Sequence, residues 1–125
     1  MTAARYAATD AATLSPREIE LRAFRHVNAL LGAARDVPAR VAALHKVHRL
    51  WSILIDDLAL PGNALPPDMK GRLASLGLWA QREAFARLSD EASLEPLLAL
   101  HRDMIAGLEA QRPAPPAAGF TPASA

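Results

Sequence analysis

The stretch Leu50–Trp79, LWSILIDDLALPGNALPPDMKGRLASLGLW, decides how the rest of the chain must fold. Trp51, Ile55 and Leu58 follow steps of four and three, the spacing of one helix face, and Leu50 and Leu54 widen it. Pro61-Gly62-Asn63 then interrupts the pattern, because proline lacks the N–H that a helix interior needs. Pro66-Pro67-Asp68 opens a second helix, since proline fits the first turn. The stretch therefore reads as the end of one buried helix, a stiff corner and a following helix. Both tryptophans of the chain, Trp51 and Trp79, lie in it.

Upstream, the helix that carries Trp51 restarts at Asp36-Val37-Pro38 and is predicted over 38–60. Val41, Leu44, His48, Trp51, Ile55 and Leu58 form its stripe, and Val47, Leu50 and Leu54 widen it. At about 100° per residue these positions cover about half the circumference, enough to touch two neighbours. This helix is expected to be the central one. The helix before it, predicted over 16–35, starts at Ser15-Pro16-Arg17-Glu18, with Ser15 as cap and Glu18 placed to reach back as in a capping box. Ile19, Ala23, Val27, Leu30 and Ala34 make its expected inner face, widened by Phe24 and Leu31.

Downstream, a helix over 66–88 shows two apolar stripes. Met69, Leu73, Leu76, Ala80 and Ala84 are the expected core face. Gly71, Ala74, Leu78 and Phe85 lie almost opposite, with Trp79 on the flank between them. A last helix over 94–111 places Leu94, Leu97, Leu98, His101, Met104, Ile105 and Leu108 on one clean face. The fold class is all-α, a small bundle of about four helices spanning 15–111. An Ala/Thr-rich arm at 1–14 is expected to be mobile, with Tyr6 its only large group. The Pro/Ala-rich tail at 112–125 has the composition of a disordered segment.

Composition narrows the function classes. A chain of 125 residues is expected to form one domain. Half of it is hydrophobic but only 5% aromatic, so the core must be built from Leu, Ile, Val and Ala. A formal net charge of +1 supplies no field to draw nucleic acid or membrane. With no cysteine, disulfide and thiol chemistry are excluded. The N-terminus has no apolar signal-peptide core, and Asp56 and Asp57 cut the longest apolar run far below the roughly 18 residues of a membrane span. A cytoplasmic protein is expected.

No residue pattern announces catalysis, and an enzyme is not expected. His45 and His48 have the i,i+3 spacing of two metal ligands, but no third ligand follows, so neither metal nor cofactor is expected. Asp56 and Asp57 are adjacent, and neighbours on a helix point about 100° apart, so they cannot address one atom. Arg40, Lys46 and Arg49 sketch a basic edge, but without interleaved aromatics it gives no nucleic-acid site. What remains is surplus apolar surface. Leu78 and Phe85, two turns apart, suit an amphipathic partner helix, with Trp79 beside them and Ile53 standing out on the polar side of its own helix.

From Tyr6 to about Leu108 the chain resembles the FlaF family, flagellar biosynthesis regulators of alphaproteobacteria. The likeness rests on Ser15-Pro16-Arg17-Glu18, on Leu50-Trp51…Leu54-Ile55…Asp57-Leu58, on the Pro61…Asn63…Leu65-Pro66 corner and on Leu76-Gly77-Leu78-Trp79, in that order and spacing. Gly71 and the Pro/Ala-rich tail depart from it. The resemblance implies a small helical cytoplasmic protein needed for flagellin production and export, similar to a secretion chaperone that binds flagellin. It also implies a link to FlbT, a regulator of flagellin synthesis. A second possibility is post-transcriptional regulation of flagellin mRNA, directly or through FlbT, without holding flagellin; a third is a structural adaptor at the export apparatus.

Overall fold

The computed structural model describes residues 14–112, and among them the chain forms four helices and no strand. They are α1 (Pro16–Ala33), α2 (Val37–Leu58), α3 (Pro67–Arg87) and α4 (Glu95–Ala110). Each expected boundary falls within two residues of the observed one. The expected mobile arm, save Leu14, and the expected disordered tail, save Arg112, lie outside the described residues.

Local chemistry sets the boundaries. The Ser15 hydroxyl accepts from the Glu18 N–H at 3.1 Å and the Asp36 carboxylate accepts from the Ala39 N–H at 2.8 Å, so α1 and α2 both begin on side-chain caps. Only half of the expected capping box forms at Ser15. Glu18 turns its carboxylate to Arg112, which donates to it at 2.7 and 2.9 Å and ties the start of α1 to the end of α4. The corner after α2 is held by Asn63, whose amide donates to Asp57 at 3.1 Å while its carbonyl accepts from the Leu65 N–H at 3.0 Å. Gly62 there needs no left-handed conformation, so Pro61 and Asn63 make the turn.

The helices close in a ring, α2 packing chiefly on α3, α1 on α4, and α1 on α2, with a thin α3–α4 contact. Trp51 on α2 is fully buried and meets all three other helices. Its ring stands edge-on to Phe24 of α1 at 5.4 Å, lies 6.2 Å from the His101 ring of α4, and rests against Gly77 of α3. The indole N–H donates to His101 Nε2 at 3.1 Å. That bond makes Nε2 the acceptor, so Nδ1 carries the proton and donates to Asn28 Oδ1 at 3.3 Å. Two polar groups that would be costly if buried alone thus satisfy each other and link three helices. Burial pushes the His101 pKa down to about 4, which keeps it in this neutral form.

Two expected faces turn out rotated. In α1, Leu21, Phe24, Val27 and Leu31 are buried, while Ile19 and Leu30 are exposed. The helix rotates to put its largest ring, Phe24, against Trp51, which takes Leu21 inward and leaves Ile19 out. In α3, the buried positions are Gly77, Ala80 and Ala84, while Met69 and Leu76 are exposed. Trp51 and Ile55 occupy the space where larger side chains of α3 would sit. A Cβ built on Gly77 would lie 2.8 Å from Trp51 Cε3 and 2.9 Å from Ile55 Cδ1. Only a small-residue face lets α3 approach so closely, and Leu76, about 100° around the helix from Gly77, is turned out. His48, placed in the α2 stripe by spacing, is also exposed; Ala43 takes up core volume there instead.

Candidate functional site

With its small residues turned inward, α3 presents its large ones to solvent. Leu78 is 49% and Phe85 74% exposed. Between them on the same row lies Gln81, whose amide donates to Ser52 Oγ at 2.7 Å and to the His48 carbonyl at 3.1 Å, both on α2. The Leu78–Gln81–Phe85 row therefore runs along the seam of α2 and α3, and a polar clasp beneath it holds the two helices in register. Leu78 and Phe85 are seven residues apart, about 10 Å along the axis and nearly in line. This is a stiff pair of apolar knobs that the packing of the helix leaves half exposed at Leu78 and mostly exposed at Phe85.

Trp79 does not share that row. It lies about 100° around α3 from Leu78, where Asp68, Gly71, Arg72, Ser75 and Leu76 surround it in a shallow open depression. Leu76 and Met69, exposed here against expectation, add apolar surface on this side.

Ile53 belongs to a third surface. It is 58% exposed and faces a groove between the start of α1 and the end of α2, lined with Leu14, Pro16, Ile19, Glu20, Leu54 and Asp57. Burial, and then the negative charge of Asp57, push the Glu20 carboxyl above its ordinary range, with Arg17 opposing. The four residues singled out by spacing thus fall on three faces: Leu78 with Phe85, Trp79 alone among them in its depression, and Ile53 in the α1–α2 groove. Leu76, Met69, Ile19, Leu30 and His48 are exposed although spacing places them on inner faces. The signal for the first two was Gly77, Ala80 and Ala84, a row of small residues three and four apart that marks a close helix contact.

The polar candidates have structural surroundings. His45 and His48 are exposed, and among the described residues no group of three His, Asp or Glu side chains could hold a metal ion. Asp56 and Asp57 sit exposed near the end of α2, Asp57 bonded to Asn63. Arg40 is drawn off the supposed basic edge: it donates to the Ala92 carbonyl at 2.8 Å and pairs with Asp90 at 3.5 Å, joining α2 to the loop after α3. No described helix is long and apolar enough to cross a membrane.

The family model described as flagellar protein FlaF matches residues 2–108. No curated protein and no solved structure matches the chain.

Proposed function

The chain belongs to the FlaF family of flagellar proteins, and from that membership we propose that it works by binding flagellin in the cytoplasm, as an export chaperone that also links flagellin supply to its synthesis. The observation that carries this reading is the exposed Leu78–Phe85 row on α3. An amphipathic helix laid along the α2–α3 seam would bury both knobs, and two apolar anchors about two turns apart match one face of such a helix. Polymerising subunits keep sticky amphipathic helices, and covering them with a stiff apolar row hides the surface that would assemble early. No catalysis, metal or cofactor is required; the work is recognition.

The competing reading, action on flagellin mRNA or through FlbT alone, finds less support. A net charge of +1 supplies no strong field toward a phosphate backbone, and Arg40, one of the three cations of the supposed basic edge, is committed to Ala92 and Asp90. Mixing the purified chain with purified monomeric flagellin and sizing the product separates the two. A one-to-one complex that survives high salt is expected, because apolar burial is insensitive to screening. No complex with flagellin, together with salt-steep binding to its transcript, would overturn the proposal.

A further inference from the structure

The groove between α1 and α2 is a second apolar surface, and its character differs from that of the α3 row. Its walls are Leu14, Pro16, Ile19, Ile53 and Leu54; its polar rim is Glu20 and Asp57, two carboxylates with like charge. Arg17 offsets this pair only in part, so a rim of two carboxylates beside exposed isoleucines suits an occupant that brings both an apolar group and a cation. We propose that the occupant is this chain's own N-terminal arm, with Tyr6 seated on Ile19 and Ile53 and Arg5 set against Glu20 and Asp57.

Three observations favour the arm over other occupants. It enters α1 at Leu14, which already lines the groove. Arg5 lies nine residues before Leu14, a reach of about 14 Å if helical and about 30 Å if extended. The groove spans only about one turn of each helix, so either length suffices. Second, Arg5 and Tyr6 are the arm's only basic and only aromatic side chains, and they are adjacent. The C-terminal tail offers Phe120 but no charged side chain after Arg112. It also leaves from the other side of α1, where Arg112 is bonded to Glu18. Third, the family match runs through the arm from residue 2 and stops at 108, short of the tail. Docked in this way, the arm covers Ile53 and removes it from the surface open to a partner. This inference does not depend on what the α3 row binds.

The chain has no cysteine, so disulfide trapping can be read without background. Ala7→Cys combined with Ile53→Cys, which leaves Arg5 and Tyr6 in place, should close within one chain under mild oxidant at least tenfold faster than Ala7→Cys with Phe85→Cys. Adding Arg5→Glu should slow closure about tenfold, and Glu20→Arg on top of it should restore much of the rate. Equal rates for the two pairs would overturn the proposal. So would faster closure of Phe120→Cys with Ile53→Cys, which would name the tail, or bonds formed only between chains, which would name a second copy.

Discussion

Trp51 and Trp79 sit on consecutive helices, and Gly77 lies between them in the logic of the fold. Trp51 is fully buried, its N–H taken by His101, its ring edge-on to Phe24 and its Cε3 close against Gly77. Trp79 is 37% exposed in an open depression. The first tryptophan needs α3 to be narrow on its inner side. A helix made narrow within must carry its large residues without, and so the packing of Trp51 is what turns Leu76, Leu78, Trp79 and Phe85 toward solvent. Core and candidate interface are two consequences of one close helix contact.

That contrast can be broken first at its buried end. Trp51→Ala should destabilise the protein by about 3–5 kcal/mol, because it empties the junction of four helices and leaves His101 without its donor. Denaturant unfolding of the variant measures this. A midpoint equal to the parent's would mean that Trp51 is not the keystone.

Acid probes the same junction. The His101 pKa is about 4 in the folded protein against 6.5 ordinarily. A depressed value means that the unfolded chain takes up the proton first. The stabilisation is therefore complete above pH 6.5 and is lost as pH falls from 6.5 toward 4, by up to about 3 kcal/mol. His101→Gln, which keeps an acceptor for the indole N–H, should flatten that part of the stability–pH curve. An unchanged slope would show that other groups carry it.

Two glycines of α3 sharpen the comparison, since alanine should act with opposite sign at each. At Gly77 the added Cβ would stand 2.8 Å from Trp51 Cε3, and overpacking of about 1–3 kcal/mol outweighs the roughly 1 kcal/mol gained in helix propensity. At Gly71 nothing lies within 4 Å, so Gly71→Ala should stabilise by about 0.5–1 kcal/mol. Thermal melting of the pair reads the difference directly. If Gly77→Ala also stabilises, the close α2–α3 contact does not exist.

The helices were legible because proline marks their starts. Pro16, Pro38 and Pro67 can stand only in a first turn, and Ser15 and Asp36 beside them cap the chain locally. Which face points inward was less legible. In α1 and α3 apolar residues occupy more than one side, and periodicity alone cannot choose between Ile19 and Leu21 or between Leu76 and Gly77. The choice is made by the volumes of Phe24 and Trp51 on facing helices, a tertiary fact. His101 was visible as a member of the inner face of α4, but its bond to Trp51 joins residues fifty apart in sequence. Ile53 stood out by polarity contrast, yet its place in a groove with Ile19 and Glu20 depends on how α1 crosses α2.

The exposed end of the contrast is tested with Leu78→Ser and Phe85→Ser in one chain. Phe85 lies largely in solvent and Leu78 about half, so helicity should be kept and stability should stay within about 1 kcal/mol of the parent's. Calorimetric titration with purified monomeric flagellin is the decisive measurement. Binding should weaken by about 2–4 kcal/mol, the loss typical of removing interface anchors. A stable double variant that binds flagellin as the parent does would contradict the assignment of the α3 row as the working surface.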